Sequence, residues 1–194
     1  MIKKPVIAFL LDKKGGAIEL SYDELNNVDK NGKILWVHFD YSSPEAVDWI
    51  TNKSEIDSIA IDALLTEETR PRTTILNDSI LIALRGVNLN PNSKPEDMVS
   101  IRLYISTHLI ISTRKRDILS VAEIIDILKK GIGPKSSSEF LTELIYRVTD
   151  RMEDVINQIE DRTNALEENL IDSTDLKFRN EILSVRREII ILRR

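Results

Sequence analysis

Cysteine is absent from the 194-residue chain, and that one absence excludes disulfides, thiolate metal ligands and cysteine nucleophiles together. Only two histidines, His38 and His108, are present, so a closed structural zinc site is excluded as well, because such sites draw on cysteine and histidine. Neither G-x-x-x-x-G-K-S/T, G-x-G-x-x-G nor G-x-S-x-G occurs, and phosphate-cradling loops and nucleophile elbows therefore have no support. No stretch approaches the roughly 18 apolar residues of a membrane helix. The apolar run from Val6 to Leu11 is stopped by Asp12 and is too short for the core of a signal peptide. An excess of positive charge is also missing: the formal net charge is -5, which provides no global field for nucleic acid. These absences describe a soluble, cytosolic chain that is not an enzyme, requires no cofactor and has no nucleic-acid partner.

What is present in the first half alternates between strand and helix signals, so the expected fold class is α/β (α+β), a mixed parallel/antiparallel sheet flanked by helices. Val6 to Leu11, the turn cluster Asp12-Lys13-Lys14-Gly15-Gly16 and Ala17 to Leu20 read as a hairpin, and Ile34 to Phe39 as a buried strand. Ser43-Pro44-Glu45 starts a short helix with a capping hydroxyl, a proline in the first turn and a carboxylate at the positive end of the dipole. Ile56, Ile59, Ala60, Ala63 and Leu64 recur at helical spacing. The stretch ALLTEETRPRTTI follows, in which Pro71 pushes Arg70 away from helical angles. It reads as a structural corner where a helix hands over to a strand, with Glu67 and Glu68 placed to pair with Arg70 and Arg72. Arg72 to Leu76 with Ile80 to Val87, and Met98 to Ser106 with Leu109 to Thr113, make two further hairpins.

From Asp117 the period becomes helical, with Ile118, Val121, Ile125 and Leu128 on one face and Gly131 as a stop. GIGPKSSS, residues 131–138, reads as a linker, dividing an α/β domain at 1–133 from a helical hairpin at 134–194. The hairpin's first helix, about 139–170, carries the heptad Leu141, Ile145, Val148, Met152, Val155, Ile159, Arg162 and Leu166. Its second helix, about 175–194, carries Ile182, Val185, Ile189 and Leu192 on one stripe. The first helix is acidic and the second basic, which predicts an antiparallel pair with complementary faces. The pattern stops at Arg194 without a cap, and the expectation is a helix that continues in a longer protein.

Two charged features invite a functional reading. Asp150, Glu153, Asp154, Glu160, Asp161, Glu167 and Glu168 are the candidate metal residues of the acidic helix. They read as a solvated face, as a negative field that concentrates divalent cations, or as a defined site for a hard cation such as magnesium. Arg114-Lys115-Arg116 reads as a phosphate or nucleic-acid contact or, more plainly, as a solvated strand-to-helix corner.

Several stretches, taken in order, resemble one family. Trp36-Val37-His38-Phe39-Asp40, Glu68-Thr69-Arg70-Pro71-Arg72, Leu84-Arg85-Gly86-Val87-Asn88, Pro95-Glu96-Asp97-Met98-Val99-Ser100-Ile101-Arg102, Ile111-Ser112-Thr113-Arg114 and Leu192-Arg193-Arg194 look like the cytosolic domain of CorA-type divalent-cation transporters, in the ZntB-like zinc transporter branch. The resemblance implies structural roles for Glu68, Thr69, Arg70, Pro71, Arg72, Arg85, Gly86, Arg102 and Arg114. It further implies a funnel-shaped homopentamer in which the helix pair leads to a stalk helix and membrane spans, with the family's G-x-N pore signature at the end of the first span. Zinc or magnesium would be the transported ion. The intact protein would lie in the bacterial inner membrane with this part on the cytoplasmic side, and this part alone would be a monomer or dimer. Two competing readings are a soluble coiled-coil adaptor, whose charged hairpin binds a partner helix, and a hydrolase with an unrecognised carboxylate pair.

Overall fold

Seven strands form one sheet in the order β2-β1-β3-β7-β6-β5-β4. The computed structural model describes residues 4–30, 32–67, 70–172 and 176–193. Within them lie β1 (Val6–Leu11), β2 (Ala17–Leu20), β3 (Ile34–Asp40), α1 (Pro44–Asn52), α2 (Ser58–Leu65), β4 (Arg72–Leu76), β5 (Ser79–Gly86), β6 (Val99–Ile105), β7 (Leu109–Arg114), α3 (Leu119–Lys129), α4 (Ser137–Asp172) and α5 (Leu176–Leu192). Neighbouring strands pair antiparallel except β3 and β7, which run parallel at the centre. Both central strands are buried almost throughout, as a parallel pair covered on two faces requires.

Alternation along the strands divides the core in two. Phe9, Leu11, Trp36, Ile101, Leu103 and Ile110 face α3 and the first turns of α4, while Val37, Phe39 and Ile111 face α1 and α2. The cap expected at Ser43 forms: its hydroxyl accepts from the N–H of Ala46 at 3.2 Å, with Pro44 opening α1. Asp57 caps α2 in the same way, accepting from the N–H of Ile59 at 2.8 Å.

The stretch expected to be a linker is a docked corner. The N–H of Gly131 donates to the carbonyl of Leu128, that of Ile132 to Ile127, and that of Gly133 to Gly15 at 2.7 Å. Gly133 and Pro134 are buried. Gly15, in the β1–β2 turn with φ 111°, has its Cα so close to this corner that a Cβ would sit 2.7 Å from the carbonyl oxygen of Gly131. Two loops distant in sequence thus fix where α4 begins, and α4 enters the sheet's own core through Phe140, Leu144 and Val148.

That packing also changes the expected seam of α4. Val148, Val155, Ile159 and Leu166 are buried as the heptad requires, but Ile145 is 40% exposed while Phe140 is 1% and Leu144 0% exposed. The first turns pack on a sheet and on α3, so the apolar stripe follows the helix's own 3.6-residue period and not a two-helix seam. Only farther along does α4 meet α5, around Val155, Ile159, Leu166 and Val185, with Val87 from the end of β5 closing the cluster.

Candidate functional site

The stretches that carry the family resemblance meet in space. Trp36 and His38 of β3 lie beside Ser112 and Arg114 of β7, in the parallel register that pairs His38 with Ser112 and Asp40 with Arg114. The Trp36 Nε1–H donates to Ser112 Oγ at 2.9 Å, and Arg114 Nε donates to His38 Nε2 at 3.0 Å. An imidazole nitrogen that accepts from a guanidinium carries no proton, so the neutral ring is protonated at Nδ1, which lies 2.8 Å from Ser112 Oγ. Burial, and then the charge of Arg114, push the His38 pKa down to about 3. Arg114 is held further by Asp117 at 3.2 Å and by the carbonyl of Lys4 at 3.4 Å. This network fixes the central strands to each other. His38 is a satisfied core histidine and not a metal ligand.

Asn88 joins two more of the stretches. Its Nδ2 donates to the carbonyl of Asp97 at 3.1 Å and its backbone N–H to Pro95, while its Oδ1 accepts from both nitrogens of Asn90. The polar β5–β6 connection is thereby folded back on the end of β5. Beside it, Gly86 lies under α4: a Cβ there would sit 3.2 Å from Val148 Cγ1. Arg85 is half-buried next to it.

The basic trio is committed to such contacts. Arg114 is in the network above, Lys115 Nζ pairs with Glu67 Oε1 at 3.1 Å, and Arg116 donates to the carbonyl of Asp97 at 3.2 Å. The corner reading of this segment is the one its geometry supports. Glu67, expected to pair with the nearby arginines, reaches across to the β7–α3 corner. Arg70 and Pro71 are exposed just ahead of β4, while Glu68 and Thr69, expected to share the corner's structural role, lie outside the described residues.

The acidic candidates do not converge. Asp150, Glu153, Asp154, Glu160, Asp161, Glu167 and Glu168 are exposed along α4, and among the described residues no group of three or more His, Cys, Asp or Glu is placed to hold a metal ion. The ion pair seen across the hairpin also runs opposite to the expected polarity, from Arg162 of the acidic helix to both carboxylate oxygens of Glu188 in the basic one, at 2.8 and 3.3 Å.

One feature escaped sequence reasoning. Arg102, on β6, is 3% exposed, and among the described residues the side chain of Tyr41 and the charge of Glu67 offset its positive charge. Its guanidinium stacks 4.6 Å from the ring centroid of Tyr41, and burial pushes its pKa below the ordinary value. It borders a groove of about 490 Å³ between α2 and β4–β6, lined also by Asp62, Thr66, Arg72 and Thr74. The alternation V-S-I-R-L-Y-I marked Arg102 as lying off the main core face, but nothing local shows that α2 covers that face.

The "CorA-like Mg2+ transporter protein" family matches residues 31–194. The chain is 32% identical over 193 residues to the zinc transport protein ZntB of Yersinia enterocolitica and 34% identical to that of Klebsiella pneumoniae, covering 100% of this chain and 58% of each relative. It therefore spans somewhat over half the length of the curated relatives it matches. Among solved structures, the full-length CmaX protein aligns with a TM-score of 0.88 at 34% identity over 99% of this chain and 60% of that one. The ZntB cytoplasmic domain from Vibrio parahaemolyticus aligns with a TM-score of 0.82 at 26% identity, covering 98% of this chain and 75% of that one. The CorA magnesium transporter of Methanocaldococcus jannaschii, 16% identical with a TM-score of 0.74 over 99% of this chain and 59% of its own, shares the fold. With a match that runs from β3 through α5, the chain belongs to the CorA-like Mg2+ transporter protein family.

Proposed function

We propose that the chain is the cytoplasmic, N-terminal part of a divalent-metal-ion transporter of the ZntB type, with zinc as the transported ion and magnesium as the alternative cargo. The observation that carries this reading is the alignment of the whole chain, sheet and helix pair together, with a ZntB cytoplasmic domain and with the full-length CmaX protein. Among the described residues no helix is long and apolar enough to cross a membrane, so translocation itself is assigned to the part of the relatives this chain does not span.

In this reading the chain assembles as a homopentamer whose cytoplasmic parts surround the ion path. The exposed carboxylates of α4 then act as a surface potential, raising the local concentration of cations without binding any one of them tightly. The α3–α4 contact couples that surface to the sheet: Glu123 of α3 pairs with Arg147 at 3.1 Å and with Arg151. A shift of α4 would then be felt in the sheet's core, because Phe140 and Leu144 belong to it.

Fractionation of cells expressing the full-length polypeptide that contains this chain tests the placement. Recovery in the membrane pellet, with this segment cut by protease only from the cytoplasmic side, supports the reading. Recovery in the soluble fraction contradicts it.

A further inference from the structure

Two helices of this chain carry the same surface pattern with opposite charge. On α4 the row Glu153-x-x-Ile156-x-x-x-Glu160-x-x-Thr163-x-x-x-Glu167 sets a carboxylate at every seventh residue. Along α5 and the residue that follows it, Arg179-x-x-Ile182-x-x-x-Arg186-x-x-Ile189-x-x-x-Arg193 sets a guanidinium at the same interval. Steps of three and four residues keep each row on one face of its helix, and seven residues rise about 10 Å. All six charged side chains are exposed, and among the described residues no ion pair joins one row to the other; the hairpin is bridged elsewhere, by Arg162 and Glu188. Glu160 and Arg186 each follow a buried residue of the hairpin seam, Ile159 and Val185, and so stand about 100° round their helices from it. Both rows therefore look away from the hairpin's own contact. Between the charges, Ile156, Ile182 and Ile189 are 37–47% exposed. An aliphatic line bordered by charges at a seven-residue step is the surface of a helix that packs on another helix.

We propose that the arginine row of α5 docks on the glutamate row of α4 in a neighbouring copy of this chain. Three charges of each sign at one spacing meet in register, and Ile182 and Ile189 close over Ile156 and Thr163. The chain carries both halves of the contact, which makes a second copy the fitting occupant. Those halves lie on different helices, so each copy uses its α5 on one neighbour and its α4 on the other. Such a head-to-tail contact repeats around a ring; it rests on the homopentamer reading and says where two subunits touch. Asp150, Asp154, Asp161 and Glu168, about a quarter-turn away on α4, stay in solvent.

Sedimentation velocity of the 194-residue chain over a range of concentration and salt tests the contact. The expected result is reversible association that weakens as salt rises. It should be lost in Arg179→Glu/Arg186→Glu/Arg193→Glu and in Glu153→Lys/Glu160→Lys/Glu167→Lys, each taken alone, and return when the two variants are mixed. Return in the mixture separates contact between copies from pairing inside one hairpin, which mixing cannot restore. A parent that stays monomeric at every concentration, a variant that associates like the parent, or a mixture that stays monomeric overturns the proposal. So does an α5 face shielded only in a monomeric full-length protein, which assigns that face to a later segment of the same polypeptide. Should a triple variant fail to fold, Arg186→Glu and Glu160→Lys are compared in the same way. The mass of the full-length protein in detergent reports separately on the pentamer. A pentamer beside a failed mixing experiment removes only this contact, and a dimer beside a successful one removes only the pentamer.

Discussion

Arg114 Nε donates to His38 Nε2 at 3.0 Å in the buried centre of the sheet, joining residues 76 positions apart. The bond requires a neutral imidazole, and its consequence is a pH dependence of folding with a definite sign. The His38 pKa is depressed to about 3 in the folded chain against an ordinary value of 6.5. Between those values the unfolded chain binds a proton that the folded one does not, so stability falls as pH falls through that window and is unaffected by this group above it. From pH 7 to pH 5 the loss should be roughly 2 kcal/mol. Urea unfolding at several pH values checks it, and in His38→Gln the slope over this window should flatten.

Phe140 meets the Trp36 ring edge-on, with centroids 4.7 Å apart. Phe140→Ala should cost about 3–5 kcal/mol, whereas Ile145→Ala, at a heptad position that faces outward, should stay within about 0.5 kcal/mol. Chemical denaturation of the two variants distinguishes a helix packed into the sheet from one held only by its hairpin partner.

Gly15 combines a left-handed φ of 111° with a carbonyl oxygen 2.7 Å from where a Cβ would stand. Gly15→Ala should therefore destabilise by about 1–3 kcal/mol. Hydrogen exchange should show the loss in the β1–β2 turn and in the first turns of α4 together, since the N–H of Gly133 bonds to Gly15.

Arg162 and Glu188 bridge the hairpin in a two-pronged pair whose arginine side chain is 45% exposed. A double-mutant cycle with Arg162→Ala and Glu188→Ala should give a coupling of about 0.2–1 kcal/mol that shrinks with added salt.

These residues also mark how far the sequence could be read. The β1–β2 hairpin, the cap at Ser43 and the stop at Gly131 rest on neighbours within a few positions, and all were legible. The parallel pairing of β3 with β7 was not, because its register is set by Trp36, His38, Ser112 and Arg114 across a long crossover. The same holds for α4. Its period could be counted, but which face it buries depends on a sheet whose outline emerges only in three dimensions, and so Phe140 and Leu144 escaped notice while Ile145 was taken for core. For the candidate site, the acidic residues of α4 were legible as a charged stretch with several readings, while Arg102 was read only as a motif residue. Its burial comes from α2 and Tyr41, which no local pattern connects to β6.

The most direct test of the central claim is cation flux through the full-length protein that contains this chain, reconstituted in lipid vesicles with a zinc-sensitive dye inside. The account predicts saturable zinc entry that empty vesicles lack and that other divalent cations compete for. Vesicles that hold the correctly inserted protein yet pass neither zinc nor magnesium would contradict it.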